Sequence, residues 1–269
     1  MKAFRARGYS ASMEILCTND DGILSPGLAA AVEVARGFGD VRVVAPSSQQ
    51  TAAGRSLVGD RHKPFVKARI AGDTGSVPAW QMDATPALTV RHALATVLRD
   101  RRFELAVSGI NYGENIGYDI STSATVGAAI ECAIKGIPAI AISVQTDFGA
   151  HRSYSRIDWA ATKHFLGLFI RRFIEKGRFS GFDVLKLDVP MAADERTEWK
   201  VCRLEPGPYY VETMTRQSDD AVVDDTRLSV DPSQFRPGTD AYVLAVEHKV
   251  AVTPLILDWT GDGTSSFFS

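Results

Sequence analysis

The strongest constraint on this chain is an alternation. Between residues 14 and 189, short β-branched runs recur, and most are followed by a stretch with helical apolar spacing. The strand-like runs are 14–18 (EILCT), 41–45 (VRVVA), 80–82, 105–108, Ala139–Val144 and Val184–Val189. The helix-like stretches are 26–38, 86–99, 125–135 and 158–176. In the first of these, Leu28, Ala31, Val32 and Ala35 share one face. Pro26 suits a first helical turn, where its missing N–H leaves nothing unpaired, and Thr85 is placed to cap the second helix. Strands and helices in this order predict an α/β fold, a mostly parallel sheet with helices on both faces.

After Pro190 the pattern changes. Residues 199–214 (WKVCRLEPGPYYVETM) read as antiparallel strands broken by Pro-Gly-Pro, 219–237 as acidic and aperiodic, 240–246 as a short helix and 250–254 as a last strand. The expected organisation is a flexible tail over 1–13, an α/β core over 14–195 and a C-terminal β-rich extension over 196–269. The last helix and strand of that extension return to the core.

Composition excludes several classes. With 30 Lys+Arg against 32 Asp+Glu the net charge is −2, which argues against a basic face for gripping a nucleic-acid duplex. Cys17, Cys132 and Cys202 form no CxxC pair and are too few for a disulfide framework. They read as small buried hydrophobes in a reducing compartment. The five histidines show no metal-ligand spacing. No apolar run follows the basic residues of the first twelve positions, and the run at 137–144 is too short to span a bilayer. A cytoplasmic location without membrane contact is the expectation.

In an open parallel sheet, ligands bind beyond the carboxyl ends of the strands. After the first strand stands TNDDGILSPG (18–27), where Asp20 and Asp21 are adjacent. Two neighbouring carboxylates repel unless a cation neutralises them, and hard oxygen donors favour Mg²⁺, Mn²⁺ or Ca²⁺. An ordinary acidic turn fits the same residues. After the second strand, APSSQQTAAGRSL (45–57) offers hydroxyls at Ser47, Ser48, Thr51 and Ser56, and Gly54 permits close backbone approach. After the strand at 105–108, SGINYGENIGYDISTSATVGAAIECAIKG (108–136) alternates glycines with Asn111 and Asn115. It then enters a small-residue helix through Ser121, Thr122, Ser123 and Thr125. Such a helix start binds anions through free N–H groups; plain N-capping by Ser123 or Thr125 fits it too. GxGxxG, P-loop and GxSxG patterns are missing from the positions where they would act.

Taken together, the three loops resemble the SurE family (survival protein E). LDVP (187–190) and TDAYVLAVEHKVAVTPL (239–255) are also similar to it. The resemblance spans about 14–260. It implies a Rossmann-like fold and a divalent-metal-dependent phosphatase acting on nucleoside 5′- and 3′-monophosphates. It also implies a homodimer or homotetramer built through the C-terminal extension. The implied metal ligands are Asp20, Asp21, Thr51 and Asn111, for an ion such as Mg²⁺ or Mn²⁺. Asp20, Asp21 and Asn111 would carry the chemistry, Asp20 taking a proton from the attacking water. Asn115, Ser123 and Thr125 would surround the phosphate, joined by Gly54 and, as a candidate phosphate ligand, Arg55.

The sequence departs from the family pattern at several places. Thr51 stands where Ser is usual, Arg55 where His is, Ala124 for Gly, Leu88 for Asp, and His248-Lys249 for Gly-Tyr. These changes keep a second reading open, a catalytically weakened nucleotide- or metal-binding regulator on the same scaffold. A haloacid-dehalogenase mechanism needs its two aspartates at i and i+2, whereas here they are adjacent.

Overall fold

The computed structural model describes residues 13–72, 76–147, 154, 156–223 and 226–260. Eleven strands and five α-helices are named here in chain order. The strands are β1 (Met13–Thr18), β2 (Gly39–Pro46), β3 (Val66–Ala68), β4 (Ala79–Met82), β5 (Leu105–Tyr112), β6 (Ala139–Val144), β7 (Val184–Val189), β8 (Trp199–Val201), β9 (Val211–Met214), β10 (Thr226–Ser229) and β11 (Val250–Leu255). The helices are α1 (Pro26–Ala35), α2 (Pro86–Ala95), α3 (Ala124–Ile134), α4 (Ala160–Lys176) and α5 (Asp240–Ala245).

Nine strands form one sheet in the order β3-β4-β2-β1-β5-β6-β7-β11-β8. The run from β4 to β7 is parallel, while β3 and β11 join its two sides antiparallel. β1, β5, β6 and β7 are buried along nearly their whole length, as strands covered on both faces must be. α1 and α4 cover one face through Leu28, Val32, Phe165 and Ile170. α2 and α3 cover the other through Val90, Val126, Ala129 and Cys132. The expected α/β architecture is the one observed. The C-terminal β-rich part is present too, with β8 and β11 extending the main sheet.

Several local expectations are corrected. β8 and β9 do not pair with each other: β8 runs parallel to β11, and β9 forms a separate hairpin with β10. Thr85 precedes α2 but does not cap it with its side chain. Its hydroxyl is engaged by the neighbouring loop instead, donating to Ser56 O at 2.6 Å and accepting from Val58 N at 3.2 Å. β5 continues past Ser108 to Tyr112 through a register shift between Gly109 and Asn111. Gly109, at φ +125°, sits where a Cβ would lie 2.2 Å from Ile142 O, so only glycine fits. The tail expected over 1–13 lies outside the described residues except Met13, which opens β1.

Candidate active site

The site forms where the rule for open sheets places it, beyond the carboxyl ends of β1, β2 and β5. β1 ends at Thr18 and the chain turns through Asn19, Asp20 and Asp21. Asn19 Nδ2 donates to Gly22 O at 3.1 Å and closes the turn. Gly22, at φ +100°, has Ser48 backbone 3.2 Å from where a Cβ would be. The turn presses against the loop after β2, where Gln50 N donates to Asp20 O at 2.8 Å.

Both carboxylates are buried. The Thr125 hydroxyl donates to Asp20 Oδ1. Asp21 accepts from Gln49 Nε2 at 3.1 Å and from Tyr112 N at 3.4 Å, and Tyr154 OH donates to its backbone carbonyl at 2.8 Å. Burial pushes both carboxyls above the ordinary aspartate range, and the Asp20 charge pushes Asp21 further. Among the described residues no cationic side chain offsets them. Buried Thr18 Oγ1 and Asn19 Oδ1 beside the pair have no hydrogen-bond partner among the described residues.

A cleft of about 750 Å³ opens in front of Asp20, lined among others by Asp20, Thr51, Asn111, Asn115 and Ser123. Asn111, at the end of β5, donates from Nδ2 to Gly113 O at 2.7 Å, which leaves its Oδ1 as the remaining donor to a cation. Asn115 is held on two sides: its N–H donates to Asp188 Oδ1 at 2.8 Å and its Nδ2 to Ser143 Oγ at 2.6 Å. Asp188 contacts the fully buried Lys186, which also pairs with Asp240 at 3.0 Å. Burial works against the Lys186 charge, but the two carboxylates outweigh it and hold the ammonium protonated. Ser123 caps α3, its Oγ accepting from Val126 N at 3.1 Å.

Three expected site residues are placed elsewhere. Thr125 is fully buried behind the cleft wall, with its hydroxyl on Asp20 and not facing a phosphate. Gly54 also lies behind the wall, its N–H donating to Thr122 O at 2.8 Å. Arg55 points away: its Nη1 donates to Glu131 Oε2 at 2.9 Å. It lines a larger groove of about 1080 Å³ that contains neither Asp20 nor Asp21. That groove shares the 117–121 turn with the cleft as a common wall, and carries Arg203 and Arg236 but no carboxylate. Size alone therefore does not mark the chemical site here.

A family model described as "Survival protein SurE" matches residues 15–210. The 5′-nucleotidase SurE of Thermococcus kodakarensis is 40% identical over 255 residues, covering 92% of this chain and 94% of that protein. The chain belongs to the SurE family. The 5′-nucleotidase SurE of Methanopyrus kandleri is 37% identical over 263 residues, covering 93% of this chain and 94% of that protein. The crystal structure of the SurE protein from Aquifex aeolicus superposes with a TM-score of 0.73 at 28% identity, covering 92% of this chain and 95% of that one.

Two departures from the SurE pattern stay clear of the cleft. Leu88 lies on α2 beside Leu57, Arg91 and His92. His248 and Lys249 sit in a surface turn before β11, where Lys249 pairs with Glu198 at 2.7 Å. Ala124 does line the cleft, as does Thr51. The residues that sequence reasoning missed are those holding the site residues in place: Gln49, Tyr154, Ser143, Asp188 and Glu131. Asp188 could have been found, because a Lys-x-Asp inside an otherwise apolar strand demands a reason for burial.

The donor set fits a hard divalent cation. Among the described residues no three His, Cys, Asp or Glu side chains converge, so a nitrogen-and-sulfur cage for zinc is not offered there. The site instead presents two unneutralised carboxylates with hydroxyl and amide oxygens beside them.

Proposed function

We propose that this chain is a divalent-metal-dependent 5′-nucleotidase, a phosphoric monoester hydrolase taking nucleoside 5′- and 3′-monophosphates. One observation carries the reading: Asp20, whose buried carboxylate repels that of its neighbour Asp21, lines a cleft of about 750 Å³ at the start of α3. Asp20, Asp21, Thr51 and Asn111 would hold Mg²⁺ or Mn²⁺. When bound, the ion neutralises phosphoryl charge and acidifies water.

The chain's own groups do the rest. The free N–H groups at the start of α3, next to Ser123, face the phosphoryl oxygens and stabilise the negative charge that grows on them. Asn115 holds its position through Ser143 and Asp188 and offers an uncharged contact. Asp20 takes the proton of the attacking water, and the Thr125 hydroxyl keeps that carboxylate aimed. Ile116, Pro208, Tyr210 and Val211 supply an apolar wall for the nucleoside.

The enzyme works in this reading as a cytoplasmic homodimer or homotetramer. Buried free thiols at Cys17, Cys132 and Cys202 support a reducing compartment. Exposed Ile256 and Trp259 after β11 support assembly through the C-terminal extension. No helix among the described residues is long and apolar enough to cross a membrane.

The test is a matrix of Mg²⁺, Mn²⁺, Co²⁺ and EDTA against nucleoside monophosphates and p-nitrophenyl phosphate. Phosphate release is expected only with metal, and Asp21→Ala and Asn111→Ala should each abolish it. No release under any condition would favour the regulator reading, and full activity in either variant would sink the ligand assignment.

A further inference from the structure

Thr51 is the site residue with the least evident support. It lies on an exposed loop beside Ala52, which adopts φ +57°. The loop is anchored on either side of it. Before Thr51, Gln50 N bonds Asp20 O. After it, Gly54 N bonds Thr122 O at 2.8 Å, and Gly54 lies so close to α3 that a Cβ at Gly127 would be 2.4 Å from its carbonyl. Arg55 completes this second anchor through the 2.9 Å bond to Glu131.

Glu131 is a fully buried carboxylate on α3, and such a group must be paired. Arg91 of α2 supplies two bonds, from Nε at 2.7 Å and Nη2 at 3.0 Å, and Arg55 supplies the third. The same helix carries Thr125, which bonds Asp20. α3 therefore holds two of the expected metal donors at once, Asp20 through Thr125 and Thr51 through the loop.

We propose that Arg55 is a positioning residue: with Glu131 it latches the Thr51 loop to α3 and so sets the metal affinity of the site. This inference rests on the metal-dependent reading above. It replaces direct phosphate binding by Arg55, whose side chain lines the neighbouring groove. Arg91 grips both oxygens of Glu131 as a fork, and Oε2 also accepts the single bond from Arg55 Nη1. Removing Arg55 leaves Glu131 paired with Arg91, so the fold survives the test.

The experiment is calorimetric titration of Mn²⁺ into the full chain without substrate, for wild type, Arg55→Ala, Arg55→Lys and Arg91→Ala. A second arm measures KM for AMP at saturating Mn²⁺. Arg55→Ala should weaken Mn²⁺ binding about tenfold, the lower range for a lost orienting partner of a metal ligand, while Arg55→Lys recovers part of it. Arg91→Ala loses two bonds to the same Glu131 but leaves the Arg55–Glu131 bond in place, so it should weaken Mn²⁺ binding clearly less than Arg55→Ala does. KM for AMP should not change in Arg55→Ala.

Unchanged Mn²⁺ binding in Arg55→Ala overturns the latch. So does equal weakening in Arg55→Ala and Arg91→Ala, which would mark a general loosening of α3. A raised KM for AMP at unchanged Mn²⁺ affinity overturns it in favour of direct phosphate contact. A wild type that binds Mn²⁺ without turnover overturns the nucleotidase reading alone, and the titrations still decide the latch. A wild type that binds no Mn²⁺ overturns both.

Discussion

Thr125→Val isolates one atom of the site. Valine keeps the volume and β-branching of threonine inside α3 and removes only the hydroxyl that donates to Asp20 Oδ1. Both partners are buried, Thr125 fully and Asp20 to within 5%. A hydrogen bond to a charged group contributes about 1.5–3 kcal/mol, and one pKa unit corresponds to about 1.36 kcal/mol. Losing it should therefore raise the Asp20 carboxyl by about one to two further units. Burial already holds that carboxyl above its ordinary range. A metal ion needs the ionised carboxylate, and wild-type Asp20, pushed up to about 6, is half ionised near pH 6, so there the variant should bind Mg²⁺ about 5- to 50-fold more weakly than wild type. The deficit is one of protonation, so it should shrink as pH rises and close once Asp20 is ionised in both proteins. Titration calorimetry across about pH 6 to 9 reads this directly, and paired buffers count the protons released on binding. A deficit equal at every pH would mean the hydroxyl contacts the ion or substrate. No deficit at pH 6 would mean that it does not tune Asp20 at all.

The same carboxylates govern the stability of the metal-free protein. Their pKa values are 3.8 when unfolded and higher when folded, so above pH 3.8 the folded state holds the extra protons and stability falls as pH rises through the raised range. In EDTA the thermal midpoint should drop between about pH 5.5 and 8.5, and Asp21→Asn should flatten the drop; a slope unchanged in that variant refutes the assignment. Gly127→Ala places a methyl 2.4 Å from Gly54 O, which should cost about 1–3 kcal/mol in chemical denaturation and weaken metal binding as the loop is displaced; an unperturbed variant would show that the contact yields freely. Lys186→Met strips the cation from between Asp188 and Asp240 and should destabilise by about 3–5 kcal/mol in urea denaturation, partly recovered by adding Asp188→Asn; a loss under 1 kcal/mol would mean that one carboxylate is already protonated.

The parallel core was legible because each of its strands is a short apolar run between helical patterns, and tertiary burial agrees with local propensity there. β3 and β10 were not. β3 has three residues, two of them exposed, so no hydrophobic pattern is imposed on it. The extension of β5 was hidden because Gly109 and Asn111 read as loop residues, whereas the register shift lets the strand absorb them. β8 was assigned to the wrong partner, since three residues specify a strand but not a neighbour. At the site, Asp20, Asp21, Asn111 and Ser123 are legible as candidates because ligands in open sheets gather at strand ends and helix starts, and the fold brings Asp20, Asn111 and Ser123 to one cleft. The pairing of Arg55 with Glu131 is not legible in the same way. Glu131 sits inside a helix as an unremarkable letter, and only burial shows that this carboxylate needs a cation. Supports of this kind depend on distant pairings, 76 residues apart for Arg55 and Glu131, and local pattern carries no record of them.

A net charge of −2 is compatible with phosphate chemistry because of how charge is distributed around the cleft. Its lining includes Asp20, Glu114, Asp119 and Glu212 and, among the described residues, no lysine or arginine. Such a surface attracts a cation before it attracts a phosphate. In the proposed reading, a divalent ion held by Asp20 and Asp21 would neutralise the two aspartate charges, and the N–H groups opening α3 would meet the phosphoryl group. A longer phosphate chain would extend toward Glu114, Asp119 and Glu212 with no cationic side chain to meet it. The acidic wall thus filters by charge count, and the apolar residues around Tyr210 favour an uncharged nucleoside at that end. In that reading, the feature that lowers the stability of the metal-free fold at neutral pH, two repelling buried carboxylates, is also the one that would draw in the ion. Stability and activity would then be coupled through one site, and a bound cation would favour both.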